Sequence, residues 1–233
     1  TTASNNTAVG YAALTANTTG QYNVALGSNS LDACTTGTEN VAAGHASLGA
    51  VTDSTANTAV GHNSGASITT GDSNTFFGHQ SGDATTTASN NTGVGKDALG
   101  ANTTGTQNTA IGVSSLVDNT TGDYNTGLGY IALFENTTGA SNTATGNGAL
   151  RNNTTASNNT ATGYHALHQN TTGAENVAVG ALSLDANTTG ANNVAVGRNA
   201  LSGNTTAANN TAIGDSCMFL NTTGANNTAV GNG

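Results

Sequence analysis

The chain has 233 residues, of which 32 are Gly, none is Pro or Trp, and only 6% are charged. Ordinary globular chains are about 25% charged, so this composition argues against the compact core of an enzyme. Twelve acidic residues against three Lys and Arg give a formal net charge of -9. Nucleic-acid binding needs a basic face that neutralises phosphate, so we expect no nucleic-acid partner, and membrane insertion is not expected either.

A 17-residue repeat organises the whole chain, because the motif Asn-Thr/Val-x-x-Gly recurs in fourteen copies without insertion or deletion. We number each copy from that Asn, so position 1 is always Asn and position 5 is always Gly. At position 5 we expect the backbone conformation or a close neighbour to exclude a Cβ. The position-1 residues are Asn6, Asn23, Asn40, Asn57, Asn74, Asn91, Asn108, Asn125, Asn142, Asn159, Asn176, Asn193, Asn210 and Asn227. The position-5 residues are Gly10, Gly27, Gly44, Gly61, Gly78, Gly95, Gly112, Gly129, Gly146, Gly163, Gly180, Gly197, Gly214 and Gly231.

Other positions of the repeat are constrained by side-chain size. Position 8 is always Ala, Ser or Cys, position 13 is always Thr, and position 15 is always Gly, Ala or Ser. Position 4 is apolar except at Thr145 and Thr162. Position 9 is Leu in ten copies, Met218 in one, and Gly65 and Gly82 in two. Such constraint is typical of side chains that pack against the same position of the next coil.

A unit of this length is too short for a helix-turn-helix repeat, which needs about 33 residues, and suits one turn of a solenoid. The many Gly, Thr and Asn residues also disfavour helix. We therefore predict an all-β fold, a parallel β-solenoid or β-roll of about 14 coils. Each coil is predicted to hold one strand near positions 2–4 and another near positions 12–14. With strands about 4.8 Å apart, the stack is on the order of 65 Å long.

Asparagines at the same position of successive coils can hydrogen-bond amide to amide, as in cross-β stacks. Position 1 predicts a complete ladder of this kind. Position 12 predicts a partial one, with Asn17 and then Asn102 to Asn221. Its interruptions are Cys34, Val51, Ile68 and Thr85.

The apolar residues at positions 4 and 9 are separated by a Gly turn, so one narrow coil cannot easily bury both. The pattern predicts that at least one of them forms an exposed apolar stripe. Long exposed stripes are rare on soluble monomers and mark association surfaces. Because every coil repeats the stripe, a parallel cyclic assembly would cover it in register.

The runs NTAVGYAAL at 6–14, NTGLGYIAL at 125–133 and NTATGYHAL at 159–167 resemble the repeats of bacteriophage tail fibres and related virion spikes. More loosely, they are similar to the β-roll head repeats of trimeric autotransporter adhesins, although this repeat is longer. The resemblance implies a parallel homotrimer at an extracellular or virion surface. It also implies a cell-surface receptor or glycan bound through regions not present here. The chain starts and stops within a copy, so residues 1–233 are expected to be a single repetitive segment, an excerpt of a longer fibre.

Residues 40–90 form the least regular coils, because they lose the usual residues at positions 9 and 12. In the same stretch His45, His62 and His79 occupy position 6 of three consecutive copies, and Lys96 continues the series. A solenoid would stack these side chains at about 4.8 Å intervals. A surface aromatic stack is the simpler interpretation, since Tyr stands at position 6 elsewhere. The alternative is a transition-metal site, because imidazole is a common ligand. No other cofactor is expected.

No catalytic constellation is visible, and we expect no enzymatic activity. No Ser lies in a nucleophile-elbow context, and the run GVGKDALG at 93–100 lacks the ending of a phosphate-binding loop. Cys34 and Cys217 fall almost eleven coils apart, too far to form a disulfide. Each is expected to be a small buried substitute for the usual residue at its position.

The preferred function is a structural fibre segment, a tail-fibre or adhesin-like shaft that spaces and displays a binding tip or adheres to a surface. One alternative is a self-assembling extracellular surface filament, glycosylated at the Asn-Thr-Thr sequons of position 12, although those sequons are also explained by the Asn ladder. The other is an ice-binding β-solenoid, with the Thr pair at positions 13 and 14 as a single outward rank.

Overall fold

The computed structural model describes residues 2–233, and its regular elements are fourteen strands of three residues each. All lie parallel in one sheet, in chain order, so each coil contributes one strand and the predicted parallel β-solenoid is confirmed. The strands are β1 Thr7–Val9, β2 Val24–Leu26, β3 Val41–Ala43, β4 Thr58–Val60, β5 Thr75–Phe77, β6 Thr92–Val94, β7 Thr109–Ile111, β8 Thr126–Leu128, β9 Thr143–Thr145, β10 Thr160–Thr162, β11 Val177–Val179, β12 Val194–Val196, β13 Thr211–Ile213 and β14 Thr228–Val230.

Two compact units make up the chain, Thr1–Thr121 with strands β1–β7 and Gly122–Gly233 with strands β8–β14. Within each unit the strands pair in the strict register of the repeat, as in Thr160 opposite Val177. Backbone hydrogen bonds continue on both sides of each strand. The amide of Thr160 donates to the Asn176 carbonyl at 2.8 Å, and the amide of Gly180 donates to the Thr162 carbonyl at 2.8 Å.

The predicted second strand at positions 12–14 is wrong, because these residues form no strand in any described coil. The coils are joined there by a different pattern, in which several donors converge on one acceptor. The carbonyl of Thr35 accepts from the amide of Thr18 at 2.9 Å, from the Thr18 hydroxyl at 3.0 Å and from the amide of Thr19 at 3.3 Å. Since one carbonyl takes all three donors, the evenly spaced ladder of a parallel sheet does not develop.

The interior of each coil is formed by positions 1, 3, 8, 9, 12 and 15, which are buried throughout the middle of each unit. Side chains alternate across a strand, so position 3 points inward while positions 2 and 4 point outward. Leu at position 9 fills the largest interior space, and Leu133, Leu150 and Leu167 are fully buried. The two apolar positions therefore separate: position 9 is core and position 4 is surface.

Leucines at position 9 adopt the left-handed conformation, with φ between 49 and 56°. This region is strained for a bulky side chain, and such residues persist only where the surrounding packing dictates their conformation. Positions 7 and 17 are also left-handed in every complete copy. These three turns bend the chain back within a single repeat and explain why a coil has one short strand instead of two.

Glycine at position 5 is required for two physical reasons. Its φ lies between 129 and 146° in all fourteen copies, a region that L side chains rarely adopt. The coils also approach closely at this point, since a Cβ added to Gly61 would lie 2.6 Å from the carbonyl carbon of Gly78. Backbone conformation and close approach both exclude a side chain.

The least regular coils, residues 40–90, keep their strands β3–β5, and their irregularity lies in the core side chains. Gly65 and Gly82 replace the usual Leu, and the fully buried Phe76 takes the place of the Ala or Gly found at position 3 in other copies. A Cβ on Gly82 would overlap the Phe76 ring, and one on Gly93 would lie 2.9 Å from it. The Phe76 ring thus occupies the space at Gly82, while Leu48 and Ile68 are the side chains nearest to Gly65.

We predict that Gly61→Ala lowers the free energy of unfolding by about 3 kcal/mol or more, because the new Cβ meets backbone in a Gly-only region. Gly49→Ala is the control, since Gly49 lacks a positive φ and the nearest atom to its added Cβ is 3.4 Å away. Chemical denaturation of both variants measures the difference. Equal stability of the two variants would contradict the explanation.

Candidate functional site

The asparagines at position 1 form the predicted ladder of side-chain hydrogen bonds inside the coils. The Oδ1 of Asn176 accepts from the Asn193 amide at 2.9 Å and from the Asn193 Nδ2 at 3.1 Å. The Nδ2 of Asn176 donates at 2.8 Å to the carbonyl of Gly190, at position 15 of its own coil. Each side chain therefore links the start of a coil to its end and to the next coil.

The asparagines at position 12 form a second ladder, within the same interior. The Nδ2 of Asn187 donates to the Asn170 Oδ1 at 2.9 Å and to the Gly190 carbonyl at 2.9 Å. Gly190 thus accepts from the side chains of both Asn176 and Asn187. The same convergence occurs at the carbonyl of Ala156, which accepts at 2.8 and 3.0 Å.

The burial of the position-12 asparagines bears on whether the Asn-Thr-Thr sequons are accessible for glycosylation. The position-12 asparagines from Asn102 to Asn204 are fully buried, and their amides donate to neighbouring carbonyls. An acceptor amide for a glycan must be reachable by a transferase, and these are not reachable in the folded chain. In the folded chain, the asparagines of these sequons form the position-12 ladder.

The ladder at position 12 has a defect at Thr85, where Thr replaces Asn. Thr85 is fully buried, and its hydroxyl has no hydrogen-bond partner among the described residues. A buried polar group without a partner is destabilising by about 1–3 kcal/mol. Asn204 Oδ1 and Asn210 Nδ2, in the regular coils of the second unit, are also buried without a partner within residues 2–233, so Thr85 adds a cost of the same kind in the irregular coils.

We predict that Thr85→Val raises the free energy of unfolding by about 1 kcal/mol, because it replaces the unpaired hydroxyl with a methyl group of similar size. Thr87→Val, at the exposed position 14 of the same coil, is the matched control and should change stability little. Thermal and urea unfolding measure both variants. A loss of stability in Thr85→Val would show that the hydroxyl has a partner.

Threonines at positions 13 and 14 differ in what their hydroxyls do. At position 13 the hydroxyl is used within the stack, as in Thr171, which donates to the Thr188 carbonyl at 3.0 Å. At position 14 the side chain is exposed, as in Thr172. Of the Thr pair at positions 13 and 14, only position 14 therefore forms an outward rank.

The outward face of the sheet is formed by positions 2 and 4 of every strand. Neither position carries a charged residue in any copy. Val9, Phe77 and Leu128 are 62, 54 and 43% exposed. In the first unit position 4 is Val9, Leu26, Ala43, Val60, Phe77, Val94 and Ile111, and in the second it is Leu128, Thr145, Thr162, Val179, Val196, Ile213 and Val230. The predicted exposed apolar stripe thus lies at position 4.

His45, His62 and His79 stack as predicted, with ring centroids 5.2 Å apart and planes 12 and 11° from parallel. All three side chains are exposed. The nitrogen lone pairs lie in the ring planes, so parallel rings present their nitrogens side by side and a shared metal requires ring rotation. Between residues 2 and 233 no group of three or more His, Cys, Asp or Glu is arranged to hold a metal ion. Metal binding here stays a prediction.

We predict that nickel, which imidazole binds, raises the melting temperature of the wild-type chain and that His62→Ala abolishes the increase. Removing the central ring leaves the remaining two histidines two coils apart. Tyr130→Ala is the control, because Tyr130 stands exposed at position 6 outside this stack and should leave the nickel response intact. An identical response in all three proteins would eliminate the site.

A second imidazole cluster was not expected from the sequence. The rings of Tyr164 and His165 stack at 4.0 Å, and those of His165 and His168 at 4.2 Å. His168 Nδ1 lies 3.0 Å from the carbonyl of Gly148. Burial, and then the neighbouring His168, lower the pKa of His165, so its neutral form is favoured. The sequence signal that could have predicted this cluster is the presence of two histidines, at positions 7 and 10, in one copy of the repeat.

Both cysteines are buried and free, as expected of small substitutes at interior positions. The Sγ of Cys34 lies 3.8 Å from the carbonyl of Gly37, the acceptor that Asn uses at this position in other coils. Burial raises the pKa of the Cys34 thiol, which reduces its reactivity. The sulfur of Cys217 lies 3.4 Å from the Ala229 carbonyl.

No protein-family model, curated protein or solved structure matches this chain. Residues 2–233 also include no helix of the length and hydrophobicity that crossing a membrane requires. The geometry of the chain itself must therefore carry any functional assignment.

Proposed function

We propose that this chain is a structural fibre segment, which spaces and displays a binding tip or adheres to a surface as part of a parallel self-associated assembly. One observation carries the proposal: every coil presents the same outward sheet face, without a single charge at positions 2 and 4. A face repeated strand after strand suits a partner with the same spacing along its whole length.

The size of this face fits a stable interface. A strand three residues long presents about 50 Å², so the seven strands of one unit present about 330 Å². If the face of each unit is covered by the same unit of a second copy, the two copies bury about 660 Å² at each unit and about 1,300 Å² in total, within the range of specific protein interfaces. Exposed apolar residues such as Phe77 and Leu128 would be removed from water there.

Charge favours a second copy of the chain as the partner. At a net charge of -9, two copies repel each other wherever their acidic residues face one another. The face at positions 2 and 4 avoids this repulsion because it has no charge. Three copies is the number that the resemblance to tail-fibre and adhesin repeats implies. The same resemblance favours an extracellular or virion-surface location and a receptor or glycan bound beyond this segment.

Each of two alternative functions is supported by a specific observation. A self-assembling surface filament uses the same outward face, and electron microscopy of the purified chain would distinguish open filaments from closed assemblies. An ice-binding solenoid would use the exposed Thr rank at position 14, which includes Thr172 and Thr189. Thermal hysteresis above that of an equally concentrated control protein would favour ice binding.

We predict that light scattering gives three chain masses for the wild type, and one for the triple variant Leu128→Ser, Val179→Ser and Ile213→Ser. The three residues are 43, 38 and 40% exposed, so the variant should stay folded while the stripe loses its apolar surface.

The matched control is the triple variant Leu133→Ser, Leu150→Ser and Leu167→Ser, at position 9. These leucines are fully buried, so their replacement should unfold the chain instead of dissociating a folded assembly. Circular dichroism separates the two results. A monomeric wild type whose melting is independent of concentration would refute self-association.

A further inference from the structure

We propose that Thr145 and Thr162 fix the parallel, in-register arrangement of the copies, an inference that rests on the proposed self-association. They are the only polar residues at position 4 in the fourteen copies. They also lie on neighbouring strands, where Thr145 pairs with Thr162 and Thr143 pairs with Thr160. Thr145 and Thr162 thus place two adjacent hydroxyls in the otherwise apolar stripe of position 4, beside the threonines that are common at position 2.

The hydroxyls of Thr145 and Thr162 are available to a partner. In the same two coils the position-13 threonines are engaged, since Thr154 donates to the Thr171 carbonyl at 3.1 Å. Within residues 2–233, the hydroxyls of Thr145 and Thr162 make no hydrogen bond to the chain itself. Their side chains are half-buried and exposed, respectively, on the outward face.

A polar residue within an apolar interface sets orientation because a buried hydroxyl without a partner is unfavourable. Single polar residues in coiled-coil interfaces specify register in the same way, with some loss of stability. The position of Thr145 and Thr162 along the stripe therefore matters more than their contribution to affinity.

Only one arrangement pairs both threonines and covers every strand. In the parallel, in-register arrangement each Thr meets its own counterpart, and two hydroxyls can bond to each other. A shift by one strand brings Thr162 of one copy opposite Val179 of the other. It also leaves a second Thr opposite Leu128.

Antiparallel arrangements are worse. Within the second unit, whose strands β8–β14 follow chain order, full antiparallel overlap places Thr145 opposite Ile213 and Thr162 opposite Val196. An antiparallel arrangement that pairs Thr145 with Thr162 leaves β12–β14 of each second unit without an opposite strand from the other second unit. The stripe therefore contains enough information to select direction and register.

The test is the double variant Thr145→Val and Thr162→Val, in which Val keeps the shape of Thr and removes the hydroxyl. The readout is the distance between nitroxide labels on Tyr11→Cys, measured by double electron–electron resonance with Cys34 and Cys217 replaced by Ala. Tyr11 is exposed and lies next to β1, so antiparallel copies, and copies shifted by many strands, change the label distance. Light scattering and circular dichroism on each protein report assembly and folding.

We expect one narrow label distance for the labelled protein that keeps Thr145 and Thr162. The control Thr155→Val with Thr172→Val, which changes the exposed position 14 of the same coils, should give the same distance. The double Val variant should still associate, with equal or lower dissociation constant, but give several distances. Thr145→Ser with Thr162→Ser keeps both hydroxyls and should restore the single distance. A single unchanged distance in the double Val variant would overturn this inference and leave self-association standing. A monomeric parent protein would overturn both.

Discussion

The backbone carbonyl at position 15 is the acceptor on which the coil depends. In a regular coil it accepts from the Asn side chains of positions 1 and 12, as Gly190 does from Asn176 and Asn187. These bonds close the coil across its interior, while the Oδ1 atoms bind the next coil. A buried amide without a partner is unfavourable, so an inserted or deleted residue that left several of these amides unsatisfied would destabilise the coil. This requirement gives a physical reason for the unbroken spacing of the repeat.

An interior filled with amides and small side chains leaves room for one large apolar residue per coil. Leu at position 9 takes that room, and the position-4 residue is left on the outward face. The apolar stripe is thus a consequence of how the interior is filled. The proposed self-association removes that stripe from water, and its two threonines give the association a direction. Stability of the coil and the proposed self-association are thus linked through the same repeat.

The irregular coils of residues 40–90 show which substitutions the interior of the solenoid accommodates. Where Leu is lost at Gly65 and Gly82, the Phe76 ring occupies the vacated space, and Gly93 leaves room for it. Side chains from neighbouring positions thus enter the space left by the missing leucines, although no single position keeps its usual residue. The polar ladder is less forgiving, since Thr85 in the same stretch leaves its hydroxyl without a partner.

Much of this molecule could be predicted from the sequence because residue identity recurs at a fixed spacing. The length of the coil, the ladder through residues such as Asn176, the exclusion of a side chain at Gly61 and the unusual Thr145 and Thr162 all follow from the repeat alone. Only the tertiary structure decided that Leu133 is core and Leu128 is surface, and that positions 12–14 form no strand. Both outcomes depend on left-handed turns at positions 7, 9 and 17, where ordinary side chains such as Leu give no sign of a positive φ. Because packing across successive coils imposes those turns, a single repeat read in isolation does not reveal them.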